Sequence, residues 1–217
     1  MDVRSDIFLK PSELVEGRPF THPDHIGSDV NSLRYMVDQL CLILEETPPP
    51  QGPSSPIVIH RPDRQSYIYR LIVACAEQLR SPRQLTFVGF LGQRKKNADL
   101  KLADEFDRTL IDEIPEHPGL LSYSTMALIS GNYSNLVIFA SPDAKQHWSK
   151  SKAHGQAVSK LAPHYYRSVR LYNGFLPQGI YNSRTLRLKR IKYFDYRQEP
   201  GWQAVREFPE GWQDGPQ

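Results

Sequence analysis

Leu136-Val137-Ile138-Phe139 puts a large apolar side chain at every position of a strand-forming run. Strand side chains alternate between faces, so Leu136 and Ile138 point one way and Val137 and Phe139 the other. A sheet containing this strand needs cover on both sides, because either face left in water would expose a broad apolar patch. The rest of the chain has to supply that cover.

The surrounding pattern alternates strands and helices. Residues 85–91 (LTFVGFL) are strand formers interrupted by Gly89, and 98–114 carries Leu100, Leu102, Phe106, Leu110 and Ile114 at helical spacing. Residues 120–129 read as a strand, 130–132 as a hairpin turn and 135–140 as the partner strand. Ser141-Pro142-Asp143 has the chemistry of a helix start, with a capping hydroxyl, a proline in the first turn and an acid at the positive end of the helix dipole. That helix is expected to run to about residue 161, followed after Pro163 by a last strand over 165–172. The order β-α-β-β-α-β predicts an α+β fold: a ferredoxin-like domain over residues 83–175. Residues 1–82 read as a helical N-terminal extension. One helix begins at Ser28 or Asp29 and aligns Leu33, Met36, Val37, Leu40, Cys41 and Leu44; a second spans 63–79, aligning Tyr67, Leu71, Ile72, Cys75 and Leu79. Residues 176–217 read as a C-terminal extension with one basic strand near 186–193, Trp202 pinning it to the body and a frayed tail.

Three segments, NLVIFAS, HWSKSKAH and HYYRSVRLYNG, resemble the dimeric α+β barrel superfamily, which includes antibiotic-biosynthesis-monooxygenase-like proteins, over about residues 84–175. The resemblance implies a homodimer whose two sheets pack together and bury the second face. It also implies a ligand cavity between each sheet and its helices. The chemistry it implies spans cofactor-independent oxygenation of aromatic compounds, haem binding or breakdown, isomerisation, and no activity, so the cofactor is haem or none. Haem-degrading members carry an asparagine on the first strand, and LTFVGFLG has none.

Charge narrows the candidate site. Between Asp143 and Asp195 there are eleven Lys or Arg and no acid, although the whole chain carries only +3. The balance comes from elsewhere, notably Asp99, Asp104, Glu105, Asp107, Asp112, Glu113 and Glu116. A local positive field steers an anion without making the whole chain a nucleic-acid binder. On a helix over 143–161, the residues His147, Ser151, His154, Val158 and Leu161 form one stripe with Trp148 on its shoulder. His154, whose imidazole titrates near neutrality, is the candidate general base or haem ligand, with Tyr165 as its catalytic companion. Trp148, His147, Tyr123, Asn135 and Arg167 are candidate ligand contacts, Arg167 by a bidentate grip on a carboxylate. The competing expectations are a histidine satisfied by a carbonyl, an ion pair between Arg167 and the acidic helix 98–116, and a basic strand 186–193 that serves as a charged sheet edge.

No HExxH, CxxC, Walker loop or GxSxG occurs, and His22-x-x-His25 in a Pro-bounded loop is a weak metal candidate. Cys41 and Cys75 sit in apolar patterns as free thiols. No apolar run approaches the ~18 residues of a membrane span, and MDVRSDIFLKPSE lacks a signal-peptide core, so a cytoplasmic protein without a membrane partner is expected. The expected function is binding of a small aromatic or anionic molecule, with monooxygenase-like or haem chemistry. The alternatives are a non-catalytic ligand-binding or assembly protein and an RNA-binding module, since RNA-recognition domains share this element order. The strand NYSNLVIFAS lacks their basic and aromatic pattern, which disfavours nucleic acid.

Overall fold

In a computed structural model of the chain, which describes residues 7–46, 57–59, 68–128, 132–199 and 201–212, the strands form a single sheet. In chain order they are β1 (Ile7–Leu9), β2 (Ile57–Ile59), β3 (Ile68–Val73), β4 (Leu85–Arg94), β5 (Leu120–Ala127), β6 (Tyr133–Phe139), β7 (Tyr166–Leu176), β8 (Arg187–Asp195) and β9 (Trp202–Trp212). Their spatial order is β1-β9-β8-β7-β4-β6-β5-β3-β2, antiparallel except for the β1–β9 pair.

This corrects the expected fold class. The chain is α+β, but it is not a small ferredoxin-like β-α-β-β-α-β domain carrying a helical extension. It is one nine-stranded sheet to which all three expected segments contribute. Residues before 82 supply β1, β2 and β3, and residues after 176 supply β8 and β9. The two ends of the chain meet where Ile7, Phe8 and Leu9 pair with Ala204, Val205 and Arg206.

The helix expected over 63–79 is replaced, among its described residues, by β3 and the short helix α2 (Ala76–Arg80); residues 63–67 lie outside those described. Leu71 and Val73 pack into the core on one face, and Ile72 into a separate cluster on the other. Leu71 and Ile72 look like helical neighbours in sequence. Burial on both faces of a β-branched run favours a strand instead. The tail is not frayed as far as Trp212: it forms β9, where fully buried Arg206 donates to the carbonyls of Lys10 (2.6 Å), Pro11, Glu13 (2.9 Å) and Thr21 (3.1 Å). That guanidinium ties the N-terminal loop to the C-terminal strand.

The second face of the sheet is covered from within the chain. Helix α1 (His25–Glu46) buries Val30, Leu33, Met36, Val37, Leu40, Ile43 and Leu44 against it. Gly89 explains the break in the strand pattern. A Cβ there would stand 2.6 Å from Leu33 Cδ2, so glycine lets the helix lie flush on β4. Beneath α1, the carboxylate of Asp29 takes a bidentate pair from Arg170 (2.6 and 3.0 Å) and a short hydrogen bond from Tyr172. Burial and the adjacent Asp29 keep the Tyr172 phenol protonated far above its ordinary range. With α1 in this place, the uncovered face that argued for a homodimer no longer exists. No described helix is long and apolar enough to cross a membrane.

Cys41 and Cys75 are free, and the Cys41 thiol donates to the carbonyl of Ile180 at 3.0 Å. Burial pushes its pKa up to about 12, which makes it unreactive. His22 contacts Asp24 and His25 contacts the Pro19 carbonyl, and no described cluster could hold a metal ion.

Replacing Asp29 by Ala strands the buried Arg170 charge, and losing one partner of a buried pair costs about 3–5 kcal/mol. Urea denaturation is expected to show a loss of that size for Asp29→Ala and a smaller one for Tyr172→Phe. A loss below 1 kcal/mol for Asp29→Ala would contradict this account of how α1 is fixed.

Candidate functional site

The opposite face of the sheet is covered by α3 (Leu100–Asp112) and by a broken helical layer: α4 (Pro142–Ser149), α5 (Lys152–Gln156), a π-helical turn (Ala157–Leu161) and α6 (Ala162–Tyr165). The single helix expected over 143–161 does not form. Lys150 closes α4, and Ser151 opens α5 by accepting from the His154 amide at 3.1 Å. The π turn then shifts the phase again. The His147–Leu161 stripe is therefore dislocated. His154 lines a cavity, Val158 is half exposed at its wall, and His147 turns outward.

The cavity, about 330 Å³, lies between this layer and the sheet. Its floor is two cross-strand rows. One runs Arg70–Thr125–Asn135–Phe90–Leu171 across β3, β5, β6, β4 and β7; the other runs Tyr123–Val137–Val88–Asn173 across β5, β6, β4 and β7. Its roof includes Ala103 and Asp107 from α3, with Lys145, Trp148, His154, Leu161 and Tyr165 from the broken layer. Aromatic rings and aliphatic side chains share the walls. Phe90 meets Tyr166 edge-on at 5.0 Å, and Tyr166 meets Tyr165 at 4.8 Å. Gly92 is required beside them, since a Cβ there would run into the Tyr166 ring. Trp148 is braced between His117 (4.8 Å, interplanar 90°) and His154 (6.1 Å).

The polar groups are sparse. Arg70 pairs with Asp107 at 2.6 Å, lies 3.4 Å from the Thr125 hydroxyl and sits over the Tyr123 ring at 5.9 Å. Its Nε, and Oδ1 of Asn135, are buried without a hydrogen-bond partner. Burial holds the Tyr123 and Tyr166 phenols protonated, well above their ordinary range. Burial lowers the His154 pKa, opposed in part by the Ser149 backbone and Glu113. Lys145 donates to Asn173 Oδ1 at 3.0 Å, and its pKa is depressed by burial and then by Arg190, Lys192 and Lys189.

Of the residues expected from sequence, the cavity brings together His154, Tyr165, Trp148, Tyr123 and Asn135. It does not include His147, whose Nδ1 sits 3.1 Å from Nδ1 of His117 behind Trp148. Nor does it include Arg167. A register shift where Arg94 pairs with Tyr166 turns Arg167 into a separate 240 Å³ pocket with Phe20, His25, Ser168 and Arg197. The partner of the acidic helix is Arg70, not Arg167. Sequence reasoning missed Arg70, because it fell within an expected helix. It also missed Lys145 and Asn173, which become neighbours only through the fold. Period-two alternation of Arg70 with Ile72 was the available signal.

No family model and no curated protein matches the chain. Among solved structures it is similar to a protein from Shewanella oneidensis (15% identity, 44% of this chain, 95% of that chain, TM-score 0.37). It is also similar to one described as a major regulator of staphylococcal pathogenesis (16% identity, 55% of this chain, 73% of that chain, TM-score 0.36). Likenesses this low carry no functional argument, and they do not extend the resemblance to dimeric barrels.

His154 is neutral in the fold, whereas the unfolded chain takes up its proton near 6.5. Its contribution to stability is therefore complete above that value and lost as the pH falls from 6.5 through the lower folded pKa. NMR titration is expected to give His154 a midpoint below 6.5, and His154→Gln to flatten the pH dependence of stability in that window. A midpoint at or above 6.5 would contradict the buried setting.

Proposed function

We propose that the chain binds a small molecule with a planar, aromatic body in the cavity between the sheet and the α3–α6 layer. The observation that carries this reading is the wall itself. Among its aromatic rings lie a buried donor, Arg70 Nε, and a buried acceptor, Asn135 Oδ1, neither with a partner. Leaving such a group unsatisfied costs roughly 1–3 kcal/mol. A ligand with hydrogen-bonding groups at that end meets the Arg70 and Asn135 side chains while its body packs against Phe90, Tyr166 and Trp148. Mostly apolar walls with a few convergent polar groups are the usual composition of a small-molecule site.

Proton transfer within the same cavity is the second reading, supported by the neutral imidazole of His154 on the wall. A ligand with an acidic O–H or C–H would find its proton acceptor there. Haem does not fit these residues. The volume, about 330 Å³, is at the low end of the ~300–1,000 Å³ of small-molecule sites. The RNA-binding reading loses its platform. Phe90 and Tyr166 lie beneath the helical layer rather than on an open sheet face, and α1 covers the reverse side.

The neutral fluorophore N-phenyl-1-naphthylamine is a suitable probe. It is expected to bind with enhanced emission, and Ala103→Trp, which fills the cavity from α3, is expected to weaken binding at least tenfold. Unchanged affinity in a folded Ala103→Trp protein would sink the proposal.

A further inference from the structure

The pocket to which the register shift in β7 delivers Arg167 holds about 240 Å³ and lies on the other side of the sheet from the aromatic cavity. Ser168 fixes the side, because along β7 it shares a face with Arg170 and Tyr172, which bind Asp29 of α1. Pro19 and Phe20 supply an apolar wall. His25, the first residue of α1, brings the positive end of a 22-residue helix to the pocket. Arg167 and Arg197 line it and are both exposed, so it opens to solvent.

The hydrogen-bonding groups around this pocket are unevenly used. Acceptors are engaged: Gln93 Oε1 accepts from the Ser168 hydroxyl at 2.9 Å, and the Pro19 carbonyl accepts from His25 Nε2 at 3.1 Å. The Asp195 carboxylate takes the Arg197 guanidinium at 2.9 and 2.6 Å, the Arg197 amide at 3.1 Å and Arg18 at 3.4 Å. Two guanidiniums therefore share one carboxylate. Asp24, next to His25 in the chain, is paired with His22 at 3.3 Å. Among the described residues the Arg167 guanidinium has neither a hydrogen bond nor an ion pair. The Gln93 amide nitrogen and Arg197 Nη1 are likewise unengaged, so three donor groups from β4, β7 and the segment after β8 converge on the pocket. A concave site whose free donors exceed its free acceptors is complementary to an oxyanion.

We propose that Arg167, Gln93 and Arg197 form an oxyanion site that takes a phosphate group, with Pro19 and Phe20 beside it. Donors reaching in from three separate segments suit the several oxygens of a tetrahedral phosphate, whereas a planar carboxylate is met by one guanidinium edge. Arg197 is held in place by Asp195 and by the Gly17 carbonyl at 2.9 Å, and Arg167 supplies the charge that no described carboxylate engages. The sheet separates this site from the aromatic cavity, so the two readings stand or fall independently.

Calorimetric titration of the full chain with inorganic phosphate, phenyl phosphate and acetate at low ionic strength tests the proposal, since salt screens exposed cations. Phosphate is expected to bind, and acetate to bind at least tenfold more weakly. Arg167→Gln is expected to weaken phosphate at least tenfold without moving the urea midpoint, because Arg167 is exposed and unpaired. Lys101→Gln, which removes an exposed cation from α3 on the opposite face, is expected to leave the Kd unchanged. Tighter binding of phenyl phosphate than of the free ion assigns the site to a monoester whose organic part packs on Phe20; the reverse order assigns it to phosphate itself. No binding at millimolar phosphate, a Kd unmoved by Arg167→Gln, an equal loss in Lys101→Gln, or acetate binding as tightly as phosphate would overturn the proposal.

Discussion

The packing of α1 flat against one face of the sheet is the contact on which the rest of the molecule depends. Strands β4, β6 and β7 are apolar on both faces, so neither can be left to water. The two faces are nevertheless covered differently. Leu33 closes directly onto Gly89, and Asp29 locks the helix through Arg170 and Tyr172. That layer is closely packed and held by a buried ion pair.

The incomplete cover has an identifiable origin. A continuous helix over 143–161 would lay one regular apolar stripe on the sheet. Instead Ser151 caps a second start and a π turn follows, so the layer bends over the strands. Trp148 is left standing between His154, which shares the wall, and His117, which braces it from behind. Rigid aromatic walls with few polar groups suit recognition by shape, and the polar ends of the floor then set orientation. The separation of an Arg70–Asn135 side of the floor from a Leu171–Asn173 side follows from strand order, since these residues lie in register across the sheet.

What was legible in the sequence follows the range of the physics involved. Helix α1 and strands β4 to β8 could be read because their apolar periodicities are local and unambiguous. The two-faced apolar run at 136–139 announced a second covering layer, but not that α1, about a hundred residues upstream, would supply it. For β3, adjacent Leu71 and Ile72 satisfied a helical template, and only burial on both faces of the sheet decides for a strand. In the site, Trp148, His154, Tyr165, Tyr123 and Asn135 were accessible from pattern and resemblance. His147 and Arg167 went astray because a helix break and a register shift each change which way a side chain points. Neither event has a clear signature in composition. The basic strand shows the same limit: its charge was visible, whereas its interior position in the sheet belongs to long-range pairing.

The central claim is that the sheet and its broken helical layer enclose a binding cavity. A crystal structure of the protein with N-phenyl-1-naphthylamine bound tests it most directly. The account predicts ligand density over Val88, Phe90, Asn135 and Val137, beneath Trp148, with α1 unmoved. Density only on the exposed apolar residues Phe8 and Leu14, or an empty cavity at probe concentrations far above the measured Kd, would contradict it.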